Sequence, residues 1–144
     1  MSCTVDASVF VSASRPSDVN HVASRQFLRR VRAAGERVVC PTLLLSECAG
    51  AVIRPTGDVE LAAEVVTMLA RFPRAEFVPL DLPRGHRAAE IAIVHRLKGA
   101  DAVYVALAEE AGATLVTWDV ETLQRGPTTL TRLTPPDWSP RPQP

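Results

Sequence analysis

The sequence is short of several things, and each shortage excludes a class of protein. Aromatic side chains make up 5% of the 144 residues, so an extended stacking platform for single-stranded nucleic acid is not expected. The formal net charge is zero, 16 Lys and Arg against 16 Asp and Glu, which excludes a bulk polycation but leaves room for a local basic face. The longest apolar run, Ala102–Ala108, has seven residues against the ~20 that a membrane-spanning helix needs. The first residues carry neither the basic start nor the apolar stretch of a signal peptide, and a cytoplasmic protein is expected. Cys3, Cys40 and Cys48 form no CxxC spacing, and His21, His86 and His95 complete no zinc pattern. The thiols are expected to be free and mostly buried, which suits a reducing compartment. A Walker A loop and a GxGxxG turn are both missing, which ranks a nucleotide-binding enzyme last.

What is present reads as one globular domain. Hydrophobic residues make up 47% and charged ones 22%. Arginine supplies nearly all the cations, because Lys98 is the single lysine. Short β-rich runs alternate with helical stretches. Strands are expected at Cys3–Val5, continuing into Ala7–Val11, and at Arg37–Cys40, Phe77–Leu80, Thr114–Thr117 and, weakly, Thr129–Leu133. Between them, Ala23, Phe27, Leu28 and Val31 share a helical face that ends at Gly35. Further helices are expected over Thr42–Arg54, stopped by Pro55 and Gly57, then after a capping Asp58, over Arg84–Leu97, over Ala100–Ala111 up to Gly112, and over Val120–Gln124. Residues 1–134 form the expected domain. Residues 135–144 hold five prolines and read as an extended tail. Alternating strands and helices imply an α/β fold with a mainly parallel sheet, helices on both faces and ligands at the carboxyl ends of the strands.

Four acids stand where that rule points. Asp6 follows the first strand and Asp119 the fourth, at one edge of a parallel sheet. Asp101 opens a helix and shares a face with Tyr104, Val105 and Ala108, and Glu47 borders the face of Leu44, Cys48 and Ala51. An unpaired charge beside an apolar face is costly, so these acids need a partner. Each has an ordinary explanation. Asp101 and Asp119 could be caps or first-turn acids, Asp6 a turn former, and Glu47 the partner of an arginine such as Arg54. Four such explanations at one sheet edge are weaker together than singly. The alternative is a carboxylate cluster for a hard divalent cation, Mg²⁺ or Mn²⁺ rather than zinc, that activates water against a phosphodiester.

The same residues carry a family resemblance. Val5-Asp6-Ala7-Ser8-Val9, Pro41 to Glu47, and Ala100-Asp101-Ala102-Val103-Tyr104 running on through Gly112 into Leu115-Val116-Thr117-Trp118-Asp119 resemble the PIN-domain nucleases, and most closely the VapC-type toxins of toxin–antitoxin pairs. The resemblance covers about residues 2–133. It implies a three-layer α/β/α fold with a mainly parallel sheet of about five strands. It also implies metal-dependent RNA cleavage leaving 5′-phosphate and 3′-hydroxyl ends. Metal-binding acids fall at Asp6, Glu47, Asp101 and Asp119, with Glu121 in reserve should Asp119 turn outward. Ser8 and Thr117 match positions that often carry a supporting hydroxyl. Trp118 departs from the polar or basic residue often found before the last acid. A homodimer and a small antitoxin are the implied partners; the helices over Thr42–Arg54 and Val59–Phe72 are rich in apolar positions and are candidates for either contact, with ordinary core packing as the alternative.

Residues 15–37 carry six arginines, Arg15, Arg25, Arg29, Arg30, Arg32 and Arg37, against Asp18 and Glu36. The first five are the expected RNA contacts, since arginine suits phosphate; a solvated helix face is the plain alternative. Two other functions compete. A receiver-type phospho-acceptor domain would place a lysine near the end of a late strand, whereas Lys98 precedes a helix. A non-catalytic PIN-like interaction module would not need acids at all four matched positions.

Overall fold

The computed structural model describes residues 2–140 and 142; Met1, Arg141, Gln143 and Pro144, the last three part of the expected tail, lie outside the described residues. The strands are β1 (Ser2–Val5), β2 (Arg37–Pro41), β3 (Ala75–Val78), β4 (Thr114–Val116) and β5 (Arg132–Leu133). The helices are α1 (Ala7–Ser14), α2 (His21–Ala33), α3 (Leu43–Thr56), α4 (Val59–Ala70), α5 (Leu82–His95), α6 (Gly99–Ala111) and α7 (Val120–Arg125). The five strands form one sheet in the order β3-β2-β1-β4-β5, and every neighbouring pair is parallel. Right-handed crossovers put α1–α4 on one face of this sheet and α5–α7 on the other. The contacts follow that division: α1 packs on α2 and α3, α3 on α4, and α5 on α6. This is the expected α/β/α fold with its five-stranded parallel sheet.

The strand order reverses direction at β1. The chain runs outward from β1 through β2 to β3, then returns across the sheet to β4 on the other side. The carboxyl ends of β1 and β4 therefore flank the switch point where such sheets bind ligands. Register ties these ends together: Val5 pairs with Val116, and the Asp6 amide donates to the Val116 carbonyl at 3.0 Å.

Helix α6 is the central element on its face, packing against β1, β2 and β4. Residues Ala102 to Ala108 are all buried, which accounts for the longest apolar run in the chain. A helix apolar on every side belongs inside a protein, and the alanines let the strands approach closely. The helix ends at Gly112, whose φ of +59° is the left-handed conformation that glycine adopts without a side-chain clash. On the other face Phe10 of α1 meets Phe72 edge to face at 5.8 Å. Cys3, Cys40 and Cys48 are free and buried, and burial pushes the Cys3 and Cys40 thiols up to about 12.

Several local expectations differ from the structure. The run Ala7–Val11 does not extend β1 but starts α1. Asp6 caps this helix, its side chain accepting from the Ser8 amide, and the apolar residues Ala7, Val9 and Phe10 go into the core as a helical face. The cap and the burial outweigh the β-preference of the two valines. Pro55 does not stop α3. It sits in the last turn, and the helix ends at Gly57, φ +64°. β3 begins two residues earlier than Phe77, in register with β2, and β5 contracts to a two-residue edge strand. Glu47 has no arginine partner among the described residues. The start of the Pro-rich segment packs on the body of the protein. Pro135–Asp137 makes a 3₁₀ turn, Trp138 is buried with its ring edge-on to Phe27 at 5.5 Å, and Arg30 Nη2 donates to the Pro135 carbonyl at 2.8 Å. No helix among the described residues is long and apolar enough to cross a membrane.

Candidate metal and nucleic-acid site

Asp6 is set by β1, whose last residue directs it to the sheet edge. It is buried, and burial raises its pKa against the opposing pull of its donors. Three hydrogen bonds converge on its Oδ2: Ser8 Oγ at 2.6 Å, the Ser8 amide at 3.3 Å and Thr117 Oγ1 at 3.0 Å. Thr117 can reach because it continues the β4 register opposite Asp6. Its hydroxyl oxygen in turn accepts from the Asp119 amide at 2.9 Å. Asp119 then caps α7, with Oδ2 accepting from both the amide and the hydroxyl of Thr122 at 2.7 Å.

The other two acids come from helices on opposite faces of the sheet. Glu47 lies on α3, and its Oε1 accepts from the Tyr104 hydroxyl of α6 at 2.6 Å. Burial raises its pKa, and the Asp6 charge adds to the shift. Asp101 stands in the first turn of α6 and accepts no side-chain or backbone hydrogen bond outside the helix among the described residues. Its carboxyl is pushed up to about 7, first by burial and then by the charges of Asp119, Asp6 and Glu47, with Lys98 opposing. Asp101 feels all three other acids, and among the described residues Lys98 is the cation that offsets them. Buried like charges favour protonation or a bound cation.

Glu121 stays outside this group. It pairs with Arg125 at 3.6 Å, and Asp119 occupies the position beside Asp101. Among the described residues, no three His, Cys, Asp or Glu side chains are arranged to hold a metal ion by themselves. The donor set nevertheless fits a hydrated hard cation, because Mg²⁺ takes one or two carboxylates directly and keeps several waters. Oxygen donors alone, in a pocket where negative charge is already unfavourable, suit Mg²⁺ or Mn²⁺ and not zinc.

The expected arginines divide. Arg25, Arg29 and Arg32 are exposed on α2, spaced i, i+4 and i+7, and so form one stripe. Arg15 is partly buried at the end of α1. Arg30 differs from the expectation: its guanidinium is turned to the Pro135 carbonyl, which removes it from the exposed stripe. Arg37 pairs with Glu76 on the neighbouring strand. Three residues in or behind the site carry little signal in the sequence. Tyr104 had only its helical spacing from Asp101 as a signal. Lys98 shows in the sequence only as a lysine before a helix, yet at the start of α6 its charge acts on Asp101. Ser24 carried no signal at all, and its partner Trp118 stood out only as a departure from the family pattern.

With this geometry in place, the chain can be compared with known proteins. The fold matches VapC20 of Mycobacterium tuberculosis, described as a sarcin-ricin loop cleaving toxin, with a TM-score of 0.72 and 16% identity over 88% of this chain and 97% of that one. It matches FitAcB of Neisseria gonorrhoeae with a TM-score of 0.70 and 16% identity, over 94% and 99% of the two chains. VapBC2 of Rickettsia felis, bound to a DNA fragment from its promoter, gives a TM-score of 0.67 and 15% identity over 92% and 97%. No curated protein matches by sequence. The PIN domain pattern matches residues 3–125, most of the chain, from before Asp6 to beyond Asp119. The chain belongs to the PIN domain family.

Proposed function

We propose that this protein is a divalent-metal-dependent endoribonuclease of the VapC type, the toxin of a toxin–antitoxin pair. The observation that carries this reading is at the β1/β4 switch, where Thr117 of the β4 edge bonds Asp6 and α6 brings Asp101 in its first turn and Tyr104 bonded to Glu47, with the charges of Asp6, Glu47 and Asp119 acting on Asp101. Family membership adds a nuclease fold. The likeness to VapC20, which is described as cleaving the sarcin-ricin loop, adds a structured RNA as the class of substrate. Scarce aromatics fit a folded loop better than a long single strand.

In this proposal Asp6, Glu47 and Asp101 hold Mg²⁺ or Mn²⁺, and Asp119 completes or widens the site. Such a cation supplies a Lewis acid that lowers the pKa of water and offsets charge on a phosphodiester. The protein's own groups do the positioning. Ser8 and Thr117 fix the Asp6 carboxylate by loading one of its oxygens with hydrogen bonds. Tyr104 holds Glu47 in the same way. Lys98 at the rim offers a positive charge to the phosphate, and Arg15, Arg25, Arg29 and Arg32 hold the flanking backbone. No covalent nucleophile is required. The nuclease unit is residues 1–134, with Pro135–Trp138 bracing α2. A small antitoxin is the proposed inhibitor, a homodimer the proposed assembly, and the cytoplasm the proposed location, which buried free thiols suit.

The test is cleavage mapping on folded RNA with Mn²⁺ or Mg²⁺. Wild-type protein is expected to cut at discrete positions and to leave 5′-phosphate and 3′-hydroxyl ends. The Asp6→Asn protein, equally folded, is expected to leave the RNA intact. Metal-dependent cleavage that survives in a purified Asp6→Asn, Asp101→Asn double variant would refute the assignment.

A further inference from the structure

Trp118 interrupts the loop between Thr117 and Asp119, two residues of the acidic site, and it is tied at both ends. Its backbone amide donates to Ser8 Oγ at 3.2 Å, and Ser8 Oγ donates to Asp6 Oδ2 at 2.6 Å. Its indole Nε1 donates to Ser24 Oγ at 2.8 Å. Ser24 is fully buried on α2, and its Oγ lies 2.7 Å from Ser12 Oγ of α1. One residue thus bonds to the shell of the metal site at its backbone and to the arginine-bearing helix at its side chain.

Hydrogen counting fixes the direction of this chain. An indole nitrogen is a donor only, and a serine hydroxyl has one hydrogen to give. Ser12 Oγ has the carbonyls of Ser8 at 2.8 Å and Val9 at 3.0 Å as acceptors. Ser24 Oγ has no acceptor among the described residues except Ser12 Oγ. Trp118 therefore donates to Ser24, Ser24 to Ser12, and Ser12 to the backbone of α1. Ser24 Oγ is the one acceptor the indole N–H has among the described residues, and the indole is the one donor Ser24 receives, so the run favours one placement of the ring. Among the described residues it contains the one side-chain hydrogen bond from the loop after β4 to α2. Arg25, Arg29 and Arg32 stand on the exposed side of that helix.

We propose that Trp118 is a positioning residue: it latches α2 to the acidic site and so fixes the offset between the arginine stripe that holds the RNA backbone and the carboxylates where the chain is cut. This rests on the nuclease reading above and deepens it. A stripe that is free to shift would hold RNA less tightly and present more than one phosphodiester to the acids. The latch acts on binding and on the choice of bond, not on the chemistry at the bond.

The experiment compares wild-type protein with Trp118→Phe, Ser24→Ala and the double variant. Trp118→Phe keeps an aromatic ring and the backbone amide but loses the pyrrole half of the indole with its N–H, whereas Ser24→Ala keeps the whole indole and removes only its acceptor. Three readouts are taken: hydrogen exchange of α2 amides in metal-free protein, binding of a folded RNA hairpin in chelator, and mapped cleavage with Mn²⁺. Each single variant is expected to exchange faster along α2 and to bind the hairpin about 5–10-fold more weakly. KM should rise by a similar factor with kcat within about twofold, and cuts should spread to neighbouring bonds. The double variant should be no worse than either single one. Unchanged binding and an unchanged cleavage pattern in Trp118→Phe, or losses that add in the double variant, would overturn the latch while leaving the nuclease reading intact. Wild-type protein that neither binds nor cuts RNA would overturn the nuclease reading. In that case α2 exchange still decides the latch: faster exchange in Trp118→Phe supports it and unchanged exchange refutes it.

Discussion

The two ends of α6 treat acidic residues in opposite ways. At the first turn Asp101 feels the charges of Asp6, Glu47 and Asp119, with Lys98 as the offsetting cation among the described residues. At the last turn Glu109 and Glu110 face α5, where Arg87 binds Glu109 at 2.9 Å and Arg84 binds Glu110 through two nitrogens at 2.8 and 2.9 Å. Arg84 also binds Asp81, and Arg87 also binds Glu90. The helix dipole accentuates the contrast. It favours an anion at the first turn and disfavours one at the last, so the carboxylates that need arginine have it. At the switch point Asp6, Glu47 and Asp119 accept from hydroxyls while the neighbouring negative charges repel, an arrangement that costs stability. In the proposed reading, the arginine-paired acids are structural and the unpaired cluster is the part reserved for a cation.

The largest effect should come from removing a reserved acid. Asp101→Asn is expected to lower metal-dependent RNA cleavage at least about 100-fold, the scale of losing a group that stabilises transition-state charge. Its melting temperature at pH 8 should be equal to or above that of wild type, because the substitution relieves repulsion. Cleavage assays and thermal melts on the same preparation check both. A collapse in stability would instead make Asp101 a structural acid like Glu109.

Next in size is the response to metal. Mn²⁺ at about 100 times its dissociation constant contributes ~2.7 kcal/mol to a protein that binds it only when folded. For a chain of this length that is a rise in melting temperature of about 5–10 °C. Chelator should reverse it, and Asp6→Asn should lose most of it. An equal rise in the Asp6→Asn protein would place the metal elsewhere.

A smaller effect concerns pH. Burial and the neighbouring acids push the Asp101 carboxyl up to about 7 in the folded protein, against its ordinary value of 3.8 when unfolded. Between these values the folded state keeps a proton that the unfolded state has lost. The stability of metal-free protein should therefore fall as pH rises from about 4 through 7 and then level off. Discounted for a half-buried group, the loss is about 1–2 kcal/mol. Denaturant titrations at pH 5 and pH 8 measure it. Asp101→Asn should flatten the difference, and so should saturating Mn²⁺ by stabilising the protein at the higher pH.

The smallest effect belongs to the other end of the helix. Arg84→Ala removes exposed ion pairs, each worth about 0–1 kcal/mol. It should lower the melting temperature by no more than a few degrees and leave the cleavage rate of wild type unchanged. A marked loss of cleavage would show that the two ends of α6 are coupled, and the contrast between them would fail.

Much of this was legible along the chain, for local reasons. Asp58 and Gly112 mark helix ends because a side-chain acceptor and a left-handed backbone are needed at those positions whatever the fold. Ala102–Ala108 had to be buried because it is apolar on every side. The alternation of strands and helices dictated a parallel sheet, and the acids after β1 and β4 dictated a shared edge. The segment Ala7–Val11 was read as strand because alternation and β-branching are local signals, whereas its helix depends on the Asp6 cap and on a core supplied by distant residues.

Tertiary structure decided the rest. Strand order placed β4 beside β1, and only that adjacency lets Thr117 reach Asp6 and brings Asp119 to Asp101. Tyr104 meets Glu47 from the opposite face of the sheet, a contact that no spacing along the chain encodes. Arg30 looked like its neighbours in the basic segment until the fold set the Pro135 carbonyl beside it. The sequence by itself determined which residues want burial, which can cap, and which charges lack a nearby partner, because those are properties of single side chains and their close neighbours. Which charges finally share one site is a property of distances across the sheet, and packing alone sets those.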